Sequence, residues 1–159
     1  MALTIVGLGD ARSAAPHVIN ALKSCSIVYL QTDRYAAFNQ IREEGKGEYL
    51  DPLYESCENF EAFNRAVCER VLKFAKEGDA ALCVAGDGVY DNAAACAVVK
   101  AAKEGGIKVR ILPGASLATA ALGKAASCRK TATASPLTST KKNSRWAAVN
   151  ASSSLRSTI

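Results

Sequence analysis

The chain has 159 residues, is 49% apolar and 6% aromatic, and carries a net charge of +5 at neutral pH. That length gives room for one domain of ordinary size, and the composition fits a soluble α/β protein with few large rings. No apolar run approaches the roughly 20 residues that span a bilayer, so a membrane partner is not expected. The charge is unevenly placed. Residues 1–123 hold 13 Lys/Arg and all 15 Asp/Glu, a balance of −2, while residues 124–159 hold 7 Lys/Arg and no acid, a balance of +7. The mildly acidic body therefore lacks a nucleic-acid footprint.

The N-terminus runs straight into a strand pattern, Leu3-Thr4-Ile5-Val6, with no basic segment or cleavage motif, which points to a cytoplasmic protein. Gly7-Leu8-Gly9 ends that strand. Pro16 suits a helix start, with apolar spacing up to Cys25. Ser26 to Leu30 reads as a second strand and Thr32-Asp33-Arg34 as its exit loop. A short helix over 35–44 is ended by Gly45, and the extended piece 48–50 is stopped by Asp51-Pro52. Asn59 is a plausible N-cap for a helix whose core stripe is Phe60, Phe63, Val67, Val71 and Phe74. A strand over 80–85, a helix over 92–104 closed by Gly105-Gly106, a strand over 107–112 and a helix from Ala115 to Leu122 follow. Such alternation predicts a doubly wound, mostly parallel sheet flanked by helices. Residues 124–159, rich in Ala, Ser, Thr and Lys, are expected to be a disordered or poorly packed tail. A basic interaction tail is the alternative.

Six cysteines (25, 57, 68, 83, 96 and 128) form no Cys-x-x-Cys pair and read as small buried hydrophobes in a reducing compartment. With one histidine, His17, no metal site is expected.

The chemistry is expected at three turns, each following an apolar run: Gly7-Leu8-Gly9, Gly86-Asp87-Gly88 and Pro113-Gly114. If the strands are parallel, all three lie at the carboxyl edge of the sheet, where ligands of open α/β sheets collect. A nicotinamide-dinucleotide site is one reading, but it wants a third small residue where Arg12 stands, and the acid Asp33 lies late in the spacing. A phosphate-gripping P-loop is excluded because no Gly-Lys-Ser/Thr follows the turn. The glycines also have a purely structural reading as tight strand-to-helix turns.

Taken in order, Leu3 to Gly9, Ile27 to Thr32, Val84-Ala85-Gly86-Asp87-Gly88 and Ile111-Leu112-Pro113-Gly114-Ala115-Ser116 resemble the tetrapyrrole methylase family of S-adenosylmethionine-dependent methyltransferases. Residues 50–61 narrow the resemblance to the methylase-like module that precedes MazG-type nucleotide pyrophosphohydrolases. The likeness covers residues 2–123 and implies the N-terminal, Rossmann-like half of a two-domain enzyme with S-adenosylmethionine in the cleft. It places Gly7, Gly9, Gly86, Asp87, Gly88, Val89, Ala115 and Ser116 along the cofactor. Asp10 is the candidate for binding or orienting a small-molecule acceptor, with an N-cap role as its alternative.

The loop Thr32-Asp33-Arg34-Tyr35 is a further candidate for substrate or cofactor contact. Relatives are homodimers, so a dimer is expected. In the first turn Gly9 runs directly into Asp10-Ala11-Arg12, about two residues short of the family's usual loop, and Gly88 replaces its usual proline. The expectation is a truncated methyltransferase-like domain of feeble or no activity. The alternatives are a non-catalytic binding or scaffolding remnant and a dinucleotide-binding domain.

Overall fold

Apolar strand residues that alternate between two buried faces set the architecture. In the computed structural model, which describes residues 1–128 except 11 and 46, five strands form one parallel sheet. They are β1 (Ala2–Gly7), β2 (Ile27–Leu30), β3 (Glu48–Tyr49), β4 (Ala80–Val84) and β5 (Lys108–Leu112), in the spatial order β3-β2-β4-β1-β5. Gly7 of β1 lies opposite Val84 of β4, and Val6 lies opposite Leu112 of β5. The three strands thus end almost level, and all three glycine-bearing turns emerge at one edge.

Side chains pointing to alternate faces build two cores. Val6, Val28, Leu30, Ala81 and Cys83 face helices α1 (Pro16–Lys23) and α2 (Ala36–Glu43). Leu3, Ile5, Tyr29, Leu82 and Val84 face α4 (Phe60–Ala75) and α5 (Ala93–Glu104). Fully burying aliphatic side chains of this kind contributes about 1.5–3 kcal/mol each. Helix starts follow local chemistry. Pro16 opens α1, where its missing N–H costs nothing. Asn59 and Asn92 cap α4 and α5, each accepting a bond of 2.9 Å from the amide three residues on.

The structure departs from the sequence expectations in four places. Asp51-Pro52 does not merely stop a strand; it starts a short helix, α3 (Asp51–Glu55). Two residues of the expected α4 stripe, Phe60 and Phe74, are 70% and 37% exposed and lie outside the core, Phe60 because it occupies the first position of α4. β5 is an edge strand, with Lys108, Arg110 and Ile111 exposed rather than buried on both faces. Finally, α6 (Leu117–Cys128) runs on through Gly123. The tail expected from 124 onward lies outside the described residues from 129. Among the described cysteine side chains, Cys25 and Cys83 are buried, Cys57 and Cys68 half-buried and Cys96 exposed, and none of these five is in a disulfide. No helix among the described residues is long and apolar enough to cross a membrane.

Among the described residues one buried side-chain polar atom, the Tyr29 hydroxyl, on a side chain with no exposure, is left without a hydrogen bond of normal geometry. Burial pushes its pKa up, as does the charge of Glu48, while Arg70 opposes the shift. An unsatisfied buried hydroxyl costs about 1–3 kcal/mol. Tyr29→Phe is therefore expected to keep or raise the melting temperature. A thermal melt showing clear destabilisation would mean that the hydroxyl is bonded after all.

Candidate functional site

The three turns are packed backbone against backbone. After β1 the amide of Leu8 donates to Val84 O (2.9 Å), and Gly9 and Gly86 exchange a reciprocal pair of bonds, 2.9 Å and 2.7 Å. Gly114 N donates to Asp87 O at 3.3 Å, which ties in the turn after β5. A Cβ on Gly7 would stand 2.4 Å from the carbonyl carbon of Asp87, and one on Gly114 would stand 2.4 Å from Gly86 O. Neither distance is possible for a real Cβ, so glycine is required at both positions by chain contact alone. Gly86 and Gly88 also need their left-handed backbone, with φ of 82° and 94°.

Two carboxylates hold this cluster in shape. Asp87 Oδ1 accepts the amides of Val89 (2.9 Å) and Asp91 (3.1 Å), folding the loop back on itself. Asp91 in turn accepts from Ser116 Oγ (3.0 Å), from the amide of Leu117 at the start of α6 (2.7 Å) and from the amide of Asp87 (3.3 Å). Asp91 was not singled out in the sequence. Its signal is an acid four residues after Asp87, which is legible only once the loop is known to curl. The Asp91 amide, with those of Val89 and Tyr90, holds the Asp87 carboxyl below the usual carboxylate range, against the opposing effect of burial.

A cavity of about 380 Å³ opens where the turns after β1 and β5 meet α1, lined by Gly7, Gly9, Asp10, Ser13, His17 and Ala115 among others. Four of the expected site residues therefore come together here: Gly7, Gly9, Asp10 and Ala115. The other five, Gly86, Asp87, Gly88, Val89 and Ser116, do not line it. They form the clamp behind it, and Ser116 spends its hydroxyl on Asp91 and on the amide of Ala118 at 3.2 Å.

Asp10 is exposed and pairs with Arg12 at 2.9 Å. It does not cap a helix, because α1 begins only at Pro16 with Ala15 as its N-cap. Arg12 points to solvent, where its size is no obstacle. His17 and Ser13 are the polar residues that sequence reasoning passed over. They enter the site because α1 starts at Pro16, which puts its first turn beside the glycine turn. Among the described residues no three His, Cys, Asp or Glu side chains cluster as metal ligands.

The profile of the tetrapyrrole (corrin/porphyrin) methylases matches residues 3–154, nearly the whole chain. The chain belongs to the tetrapyrrole methylase family. The match runs on across the segment from 124 that composition had set apart. Solved structures agree with it in fold. A diphthine synthase superposes with a TM-score of 0.56 at 21% identity, over 77% of this chain and 48% of that one. A uroporphyrin-III-C-methyltransferase from Thermus thermophilus gives 0.55 at 19% identity, over 77% and 50%. A putative diphthine synthase from Entamoeba histolytica gives 0.52 at 25% identity, over 76% and 43%. This chain thus spans about half the length of the solved structures it matches. No curated protein matches it in sequence.

Two predictions follow from the clamp of this methylase-family domain. Gly7→Ala and Gly114→Ala are each expected to cost about 1–3 kcal/mol or more in chemical denaturation, because a backbone must move to admit the methyl group. Gly123→Ala, inside α6 with nothing within 4 Å, should be neutral or stabilising. The second concerns acid. Because the folded-state Asp87 carboxyl titrates below its ordinary value, the stabilisation it gives is full at neutral pH. It is lost as the pH falls below about 4 and through the lower folded value. Asp87→Ala should therefore lower the melting temperature most at pH 7, with the gap from the parent chain closing toward pH 3; a gap that widens in acid would refute the assignment.

Proposed function

We propose that the chain is a cytoplasmic S-adenosylmethionine-dependent methyltransferase domain acting on a small-molecule acceptor, with the cofactor held beside the clamped turns. The observation that carries this reading is the cavity of about 380 Å³ just past the carboxyl ends of β1 and β5, in a member of a family of such methyltransferases. Its lining fits the cofactor's chemistry. Gly7, Gly9 and Ala115 present backbone with little side-chain bulk. Asp10, which Arg12 holds at 2.9 Å through Oδ2, places an exposed carboxylate at the cavity, where a cationic sulfonium or ammonium group would compete with Arg12 for it.

When bound, S-adenosylmethionine supplies an electrophilic methyl group. Transfer from it depends on alignment of the acceptor more than on strong acid or base. Asp10 would orient the acceptor or the cofactor's ammonium group, and His17, in the same cavity, offers a ring nitrogen that can take the proton an acceptor loses. The reading is supported by family membership and by the way the cavity brings these residues together.

Calorimetric titration of the full chain with S-adenosylmethionine and S-adenosylhomocysteine tests it. Saturable binding weakened about tenfold, or about 1.4 kcal/mol, by Asp10→Ala is the expected result. Folded protein that binds neither compound up to millimolar concentration would overturn it.

A further inference from the structure

Two aromatic rings stand side by side in solvent where α3 passes into α4. Tyr54 and Phe60 are 50% and 70% exposed, with centroids 5.8 Å apart and planes at 52°. An edge contact to Phe63 (5.4 Å, 83°) braces Tyr54 against α4. With Glu55, Cys57, Glu58 and Asn59 the two rings line a hollow of about 470 Å³, which shares no lining residue with the cavity at Asp10. Core packing does not account for the outer faces of these rings, and adjoining exposed apolar surface of this kind marks an interaction site.

The charge around the rings has one sign. Residues 51–64 hold four acids, Asp51, Glu55, Glu58 and Glu61, and no Lys or Arg. Among the described residues neither Glu55 nor Glu58 has a hydrogen bond or an ion pair. Positive groups stand at the margins. Arg65 reaches Glu61 at 4.0 Å, and Arg34 shares an adjoining hollow with Asp51, Tyr54 and Phe60. Asp51 accepts bonds from Thr32 and from the amide of Asp33, all neutral donors, and keeps its full charge. With Asp33, Arg34 and Arg65 included, the patch carries a net charge of −3. The first turn of α4 adds a partial positive charge, which Glu61 offsets, and the Ala62 amide there is capped by Asn59 at 2.9 Å.

We propose that this face docks an arginine-bearing basic peptide segment of a partner protein, with a guanidinium stacked on Tyr54 and Phe60 and paired with Glu55 or Glu58. Charge complementarity selects a basic partner. Open ring faces select arginine over lysine, because its planar, weakly hydrated guanidinium stacks on an aromatic face while its N–H groups reach a carboxylate.

The docking face is separate from methyl transfer, so it is tested on the full chain without S-adenosylmethionine. The probe is tetra-arginine amide, titrated calorimetrically at near-physiological ionic strength, with tetralysine amide and the uncharged tetracitrulline amide as comparisons. Saturable binding of tetra-arginine, at least about tenfold tighter than tetralysine and absent for tetracitrulline, is expected. Phe60→Ala should remove the preference for arginine over lysine. The double change Glu55→Gln with Glu58→Gln should weaken both cationic peptides about tenfold, while Glu77→Gln with Glu104→Gln, exposed acids elsewhere on the surface, should leave binding unchanged. The glutamates are exposed and make no contact in the fold, so their variant keeps the test decisive even where Phe60→Ala lowers the melting temperature. No saturable binding up to millimolar tetra-arginine, equal affinity for tetralysine, or an equal loss in the Glu77/Glu104 variant would overturn the proposal. None of those results bears on whether the Asp10 cavity takes S-adenosylmethionine.

Discussion

The reciprocal backbone pair between Gly9 and Gly86 is the contact on which the functional edge depends. Two polypeptide turns can exchange amide bonds at 2.9 Å and 2.7 Å only if nothing projects between them, and the neighbouring positions 7, 88 and 114 face the same requirement. A Cβ at Gly88 would come within 2.9 Å of Gly7 N. The glycines that signal a ligand site in the sequence are thus used first to bring three turns into mutual contact. What remains for a ligand is the space that this contact leaves beside it. Packing and binding are not competing explanations for these residues: the packing shapes the cavity wall.

Topology explains why that wall stands where it does. From β1 the chain leaves through α1 on one face of the sheet, and from β4, its neighbour, it leaves through α5 on the other. Adjacent strands whose connections diverge in this way open a crevice at their carboxyl ends, the switch point at which open α/β sheets bind ligands. Here the crevice itself is bridged by Gly9 and Gly86. Space survives on either side of the bridge, as the Asp10–His17 cavity toward α1 and as a hollow lined by Phe63, Leu82 and Val84 toward α4 and α5. Asp91 anchors the β4 turn to the start of α6, so the bridge is braced from the far side as well.

Elements whose signal is local were legible in the sequence. β1, β2 and β4 show as unbroken apolar runs because they are covered on both faces, and α4 and α5 show through their Asn caps and apolar stripes. β5 carries a similar run, yet lies at an edge, because burial depends on a strand's neighbours and not on its own composition. α3 was hidden because five residues give no period to read, and Asp-Pro serves equally to end a strand or to begin a helix. Strand order could not be read, since β1, β2, β4 and β5 each pair with a strand that is not next to them in the chain.

The site follows the same division. Gly7 and Gly9 were found because they stand at the end of a strand, where position along the chain equals position at the sheet edge, while Asp10 and Ala115 came from the family resemblance. Asp91 and His17 were missed because their roles arise from how a loop curls and where a helix starts. On the α1 side Asp10, exposed and paired with Arg12 at 2.9 Å, lines a cavity walled by bare backbone. The glycine positions themselves contribute no side chain to that surface, so what a ligand meets there is set by the residues that follow them, Asp10 and Ala115, and by the first turn of α1 with His17.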